Sequence, residues 1–249
     1  MTYCLGIRTR EGLVLASDSR TNAGYDQVNV CRKMHMFTQP GERVFVLLAS
    51  GSLSCSQSVI SLLRRDFDQG KGLAVVSNLY EAARVIGGQV RKVADLDREA
   101  LENDDLKFNV HFILAGQVKG EEHDLYLIYP QGNPLRASED CPYLQIGECK
   151  YGRPILDRGV SFDRTTLDEA ARYALISLDS TMRSNVTVGP PIDLMVYRRD
   201  ELDILRHKRF QERDPDLLAI RTQWEQALRR AVQELPPVSL EIKEPSTAS

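Results

Sequence analysis

The sequence predicts an α+β protein in which antiparallel sheets are covered by helices. The 249-residue chain opens with short strand-like runs, continues with two amphipathic helical segments, and returns to strands, a helix and strands. Polar turns separate neighbouring strand-like runs, which is typical of hairpins. Because strands and helices come in separate blocks, we expect layers of sheet and helix and not an alternating parallel order.

The strand pattern begins at residue 2. Tyr3, Leu5 and Ile7 alternate with small or polar residues, which is the period-two pattern of a strand. Further strand-like runs are GLVLASD, VNVCRK and RVFVLLASG. Since chain termini are normally loose, a strand that starts this early suggests that the terminus itself is a functional part.

Two amphipathic helical segments come next. Their apolar residues recur at helical spacing, at Val59, Leu62, Leu63 and Phe67 in the first and at Leu79, Ala82, Ala83, Ile86, Val90 and Val93 in the second. Both segments are expected to pack on one face of the preceding sheet.

The second half of the chain repeats the alternation of strands and helix. The runs FNVHFILAGQ and DLYLIYPQGN predict a hairpin across the polar turn VKGEEH. Thr166 and Glu169 form the pattern of a capping box, which predicts the start of a third helix. The runs PPIDLMVYRR and ELDILRH are strand-like again.

A last helix is predicted over residues 214–235. Asp214 can cap it, Pro215 suits its first position, and it carries the apolar stripe Trp224, Leu228, Val232 and Leu235. The stripe fits either core packing or a contact between subunits. We therefore divide the chain into one domain of residues 2–211 and a C-terminal helix with a flexible tail, residues 212–249.

Composition excludes several classes of partner. Lys and Arg number 32 and Asp and Glu 35, a net charge of −3, which gives no reason to expect nucleic acid. No apolar run is long enough for a membrane span and no signal-peptide pattern opens the chain, so a cytoplasmic protein is expected. Five cysteines and four histidines are scattered without zinc or redox spacing, so we expect neither metal nor cofactor.

Thr2 becomes the first residue if the initiator methionine is removed. An N-terminal threonine combines a hydroxyl nucleophile with an α-amine that can act as its base. The reference pKa of an α-amine is about 7.7–8.0, so about 10–20% is free base at pH 7. A nearby cation lowers that pKa, so such a site requires a lysine close by and a carboxylate to hold the lysine.

Asp18 and Lys33 are the candidates for these two roles. Each follows a predicted strand, in LASDSR and in VCRK. If both strands lie beside the first, their ends meet around Thr2. An acidic residue at a strand end is usually part of a turn, and a single lysine is usually solvated, so spacing alone leaves both interpretations open.

The same stretches resemble a known family. The runs MTYCLG, GLVLASDSRTN, CRKM and LLASGSLS resemble the first half of proteasome-type β-subunits. The runs SDSRTNAG, YLQIGECKYGRPILDR and LDSTMRSNVTVGPPIDLMVY are similar to Anbu, the bacterial proteasome-related peptidase family. The resemblance covers most of residues 2–206.

The resemblance implies an N-terminal nucleophile (Ntn) hydrolase fold, a four-layer αββα sandwich, here with a C-terminal helical extension. It implies Thr2 as nucleophile, Asp18 and Lys33 as the acidic and basic positions, and Gly51 as the donor of an oxyanion-binding backbone N–H. Arg20, beside Asp18, is expected to support it structurally.

Part of the family pattern is changed in this chain. Asp179 falls at the second acidic position, near the amine, but the serine-glycine that usually follows is absent. Ser184 is therefore only a weak candidate for the hydroxyl that supports the amine. Gly147 and Glu148 stand where the family usually offers a serine near the nucleophile, which puts efficient peptide hydrolysis in doubt.

The implied activity is acyl transfer from a peptide or protein substrate to Thr2, followed by hydrolysis, without cofactor or metal. The implied assembly is a homo-oligomer, as a ring or helix; an ATPase partner is left unknown. Two alternatives stay open: an Ntn amidase for a small or modified amide, and a weakly active, ring-forming scaffold subunit. Retention of Met1 would favour the scaffold.

Overall fold

The computed structural model describes residues 2–22 and 28–240. The interpretations placed on Met1 and on the end of the C-terminal tail, residues 241–249, lie outside the described residues. Within the described residues there are two five-stranded sheets, a two-stranded sheet and five α-helices.

The strands are β1 Tyr3–Thr9, β2 Gly12–Ser17, β3 Arg20–Asn22, β4 Val28–Val30, β5 Met34–Gln39, β6 Arg43–Gly51, β7 Val110–Val118, β8 Asp124–Ile128, β9 Pro134–Arg136, β10 Tyr143–Gly147, β11 Ile192–Arg198 and β12 Arg206–Phe210. The helices are α1 Leu53–Asp68, α2 Leu79–Asn103, α3 Arg153–Gly159, α4 Leu167–Ser184 and α5 Pro215–Gln233, with a short 3-10 turn at Gly72–Ala74.

Every strand pair in the sheets is antiparallel. The first sheet has the order β10-β1-β2-β11-β12, and the second has the order β5-β6-β7-β8-β9. The small sheet pairs β3 with β4. The predicted hairpin of β7 and β8 is confirmed.

Three hydrophobic cores divide the molecule into four layers. One core lies between the second sheet and helices α1 and α2. Another lies between the first sheet and helices α3 and α4. The third lies between the two sheets and contains Cys4, Leu15, Val46 and Ile113. The order helix, sheet, sheet, helix confirms the predicted α+β sandwich.

Several local predictions are confirmed and others need correction. The capping box of Thr166 and Glu169 opens α4, and Asp214 caps α5 with proline at its first position. The strand predicted over VNVCRK ends at Val30, and the one predicted over ELDILRH begins only at Arg206. Strands β3, β5, β9 and β10 and helix α3 were not predicted.

The apolar residues of α5 lie in two different environments. Leu217, in the first turn, is buried in the core under the first sheet. Leu228, Val232 and Leu235, towards the other end, are 51%, 61% and 66% exposed. The core therefore covers only the beginning of this helix. Among the described residues, no helix combines the length and apolar character needed to cross a bilayer.

Candidate active site

Thr2 is held at one end of the first sheet, directly before the inner strand β1. It is 9% exposed. Its carbonyl oxygen accepts a hydrogen bond of 2.7 Å from the backbone N–H of Glu148. Gly147 lies against that carbonyl with φ of +87°, and a Cβ at this position would lie 1.9 Å from the Thr2 oxygen. Glycine is required here for the close approach.

Asp18 and Lys33 form a buried ion pair beside Thr2. Lys33 Nζ donates to Asp18 Oδ1 at 2.6 Å, and the two side chains are 6% and 0% exposed. The ammonium also donates to the backbone carbonyl of Arg20 at 2.7 Å. Because the chain leaves β4 at Val30 and β5 starts at Met34, Lys33 lies outside both strands. The structure thus brings together the two residues that the sequence proposed.

The Asp18 carboxylate also anchors the first strand. Oδ1 accepts from the backbone N–H of Tyr3 at 3.0 Å, and Oδ2 accepts from that of Gly189 at 3.3 Å. Burial raises the pKa of the Asp18 carboxyl above its ordinary value, and the charge of Lys33 is the largest influence against this rise. The same carboxylate therefore fixes the residue after Thr2 and orients the lysine.

A cavity of about 270 Å³ opens beside these residues, and we call it the Thr2 cavity. Thr2, Lys33 and Gly51 border it, together with Cys31 and His35. The cavity lies between the start of β1 in the first sheet and β5, β6 and the start of α1. A threonine, a lysine and a glycine backbone thus border one space, a combination that suits addition to a carbonyl.

Gly51 closes the Thr2 cavity at the end of β6. Its φ is +107°, and a Cβ there would lie 2.0 Å from the carbonyl oxygen of Asn109. Both the backbone conformation and the close contact require glycine. The next residue continues the contact, since the N–H of Ser52 donates to the same Asn109 oxygen at 2.7 Å.

His35 is a cavity residue that sequence reasoning did not find. Burial, with the charge of Arg64, lowers the pKa of His35 to about 4. The imidazole is therefore neutral at pH 7 and adds no charge to the Thr2 cavity. Once β5 is known, alternation along the strand places His35 on the face of Phe37 and opposite Met34; without β5, no signal was available.

Asp179 and Ser184 do not line the Thr2 cavity. The carboxylate of Asp179 is 4% exposed and accepts from Arg183 at 3.2 Å and from Arg221 of α5 at 2.5 Å. Ser184 is exposed at the end of α4. Arg20, expected to support Asp18, does so through its backbone carbonyl on Lys33, while its guanidinium donates to the carbonyl of Val186 at 2.7 Å.

No metal site is evident in the part of the chain that the structure describes. Over residues 2–22 and 28–240, no three His, Cys, Asp or Glu side chains cluster closely enough to hold an ion. The chemistry available at the Thr2 cavity is that of a hydroxyl, an ammonium, a carboxylate and backbone N–H groups.

Curated relatives of the chain are proteasome subunits. A family model described as proteasome subunit matches residues 2–197. The proteasome subunit beta of Haloferax volcanii is 28% identical over 211 residues, which cover 84% of this chain and 79% of that protein.

Solved structures give a fuller match. Anbu (ancestral beta-subunit) from Yersinia bercovieri is 44% identical with a TM-score of 0.90 and covers 97% of this chain and 100% of its own. A Gly-1 mutant of Anbu from Hyphomicrobium sp. strain MC1 is 44% identical with a TM-score of 0.90, over 96% and 100% of the two chains. A helical assembly of the Anbu complex from Pseudomonas aeruginosa gives 43% and 0.89, over 100% of both. This chain therefore belongs to the proteasome subunit family, in its Anbu branch.

Proposed function

We propose that this chain, after removal of Met1, is an N-terminal threonine hydrolase that cleaves peptide bonds through an acyl-threonine intermediate. The observation that carries the proposal is the buried Lys33–Asp18 pair, with an N–O distance of 2.6 Å, beside the cavity that Thr2 borders. Charged side chains are rarely buried unless they are paired or have a functional role. This pair lies beside Thr2, which offers a hydroxyl and an α-amine together once Met1 is removed.

The first half of the proposed reaction is attack by Thr2 Oγ on the substrate carbonyl carbon. The Oγ proton passes to the α-amine, directly or through a water molecule. The oxygen that becomes negative is received by the backbone N–H of Gly51. When the C–N bond breaks, the leaving amine takes the proton from the α-ammonium, and the acyl group stays on Oγ as an ester.

The second half is hydrolysis of that ester. The α-amine now takes a proton from water, whose oxygen attacks the acyl carbon, and Thr2 Oγ leaves with a proton. Throughout, the ammonium of Lys33 lowers the pKa of the α-amine and stabilises developing negative charge. Asp18 keeps that ammonium in place. Asp179 we assign to docking of α5, because its hydrogen bonds go to Arg183 and Arg221.

We also propose that the protein forms a homo-oligomer in the cytoplasm, with α5 as an assembly element. Leu228, Val232 and Leu235 expose apolar surface along one stretch of α5 and its end. A contiguous exposed apolar patch commonly marks an interface. The helical assembly of the Pseudomonas aeruginosa relative supports the same proposal for this chain.

The proposal is tested by intact mass spectrometry before and after treatment with a threonine-reactive β-lactone. We expect a chain without Met1 that gains one adduct, located at Thr2 by peptide mapping. Thr2→Ala is expected to gain none and to hydrolyse no peptide, while Thr2→Ser, which keeps a hydroxyl, is expected to react. A chain that keeps Met1 and takes no adduct would refute the proposal and favour a scaffold.

A further inference from the structure

Glu148 lies directly opposite Thr2 in the first sheet. The register of β1 and β10 pairs Tyr3 with Gly147 and Cys4 with Ile146, so the next pair outward is Thr2 with Glu148. The bond from Glu148 N–H to the Thr2 carbonyl, 2.7 Å long, confirms that pairing. Residues in a hydrogen-bonded antiparallel pair have Cα atoms about 5.5 Å apart, so the Glu148 side chain begins close to Thr2.

The positive φ of Gly147, +87°, interrupts the alternation of β10 just before Glu148, and the Glu148 side chain reaches the end of α4, where Asn185 lies. Thr2 and Glu148 lie together just beyond the paired residues at this end of β1 and β10. Glu148 is only 9% exposed there.

The Glu148 carboxylate is buried without a basic partner. Among the described residues it pairs with no lysine or arginine; its Oε2 accepts from the amide Nδ2 of Asn185 at 3.1 Å. Asn185 is itself held, because its Oδ1 accepts from the N–H and hydroxyl of Thr187 at 3.0 and 2.5 Å. A buried carboxylate normally has a cation beside it.

Most other charged and titratable groups near Thr2 are paired or neutral: His35 is neutral at pH 7, and Arg32, which also borders the Thr2 cavity, is exposed. Lys33 is paired with Asp18, and Asp179 with two arginines. Burial and the charge of Glu148 raise the pKa of the Cys149 thiol, with Arg153 acting against this rise, so that thiol is neutral at pH 7. The cation that removal of Met1 creates is the α-ammonium of Thr2, which appears on the residue opposite Glu148.

We propose that Glu148, oriented by Asn185, is the counter-ion of the Thr2 α-ammonium and sets the pH above which Thr2 becomes reactive. This inference rests on the proposed function in one respect, the removal of Met1. A carboxylate beside an ammonium favours its charged form and raises its pKa, whereas Lys33 lowers it. Only the neutral amine accepts the Oγ proton, so Glu148 moves reactivity of Thr2 to more alkaline pH.

The expected effect of removing this charge has a definite sign. Glu148→Gln keeps the shape and the contact with Asn185 but removes the negative charge. The titration midpoint of the α-amine should then fall by about one pH unit, the lower end of the range for a close opposite charge. Below both midpoints, the fraction of neutral amine and the rate of Thr2 acylation should rise about tenfold.

The experiment uses the full-length protein labelled with ¹³C at threonine methyl groups. The methyl of Thr2 reports protonation of the adjacent amine, and Thr2→Ser identifies its signal by its loss. The midpoint is followed from pH 5 to 10 in the parent protein, Glu148→Gln and Glu148→Ser, with Glu102→Gln, an exposed change on α2, as the matched control. β-Lactone acylation rates are measured on the same samples.

Each outcome decides a different point. Midpoints that fall in both Glu148 variants but not in the control support the inference. Midpoints equal to that of the parent overturn it, even if the lactone reacts. A fall in midpoint without any lactone adduct supports the counter-ion role and overturns the proposed hydrolase function. A Thr2 signal that does not titrate overturns both, because no free amine is present.

Discussion

Lys33→Met removes the ammonium from a carboxylate that solvent does not reach. The Asp18 side chain is 0% exposed and loses its 2.6 Å partner, while the methionine keeps most of the lysine stem. Removing one member of a buried pair costs about 3–5 kcal/mol. Asp18 retains two backbone donors, at 3.0 and 3.3 Å. We therefore expect a loss near the lower end, about 3 kcal/mol, at pH 7.5.

The loss should depend on pH with a definite sign. The pKa of Asp18 is already raised by burial, and without Lys33 it rises further above the value of about 3.9 in the unfolded chain. A protonated carboxyl carries no uncompensated charge. The loss is thus full above the folded-state pKa and shrinks as the pH falls through it.

The assay is urea unfolding at pH 7.5 and pH 5, at one protein concentration because assembly contributes to apparent stability. Lys208→Met is the matched control, since Lys208 pairs with Asp214 and Asp216 on an exposed surface and should change stability little at either pH. Asp18→Asn combined with Lys33→Met should recover much of the loss without restoring Thr2 reactivity. A loss in Lys33→Met that is equal at the two pH values, or no larger than in the control, would refute the reasoning.

Three further predictions concern the surroundings of the site. Gly51→Ala places a Cβ 2.0 Å from the Asn109 oxygen and should abolish lactone labelling, while Gly41→Ala, also at positive φ but with nothing within 4 Å, should label normally; equal labelling of the two would contradict the requirement at Gly51. Asp179→Asn weakens the docking of α5 and should lower the thermal unfolding midpoint but leave the pH profile of labelling unchanged. A shifted pH profile would show that Asp179 influences the α-amine of Thr2. Deleting residues 212–249 should reduce the particle mass in analytical ultracentrifugation, and a full-sized particle would rule out the assembly role.

Elements with local signals were the ones that could be predicted from sequence. The capping box of Thr166 and the Asp214-Pro215 start of α5 satisfy backbone donors within a few residues, so the pattern and the structure coincide. Helix α3 has seven residues and no side-chain cap, and it is anchored in the core by Leu156. Its existence depends on packing against distant residues, which a short sequence window does not contain.

The residues of the candidate site also differ in whether a local sequence signal could predict them. Asp18 and Lys33 could be proposed because each follows a strand-like run, and the buried pair is present. Of these two runs, only β2 lies beside the first strand; β4 pairs with β3 in a separate sheet, and the residues after β4 bring Lys33 to Asp18. The partner of Asp179 could not be found, since Arg221 is 42 residues away on another helix. The charge balance around Glu148 likewise depends on the end of α4, where Asn185 lies.

The site is divided between the two sheets. Thr2 directly precedes one inner strand of the first sheet and Asp18 directly follows another, whereas Gly51 ends a strand of the second and Lys33 directly precedes another. Neither sheet alone contains both the proposed nucleophile, Thr2, and the groups proposed to stabilise charge beside it, Lys33 and Gly51. In a chain that is still being synthesised, or whose two sheets have not yet docked, Lys33 and Gly51 are therefore not yet in place beside Thr2. If Thr2 acts as proposed, docking of the two sheets is the step that makes it reactive, so reactivity is delayed until folding has finished.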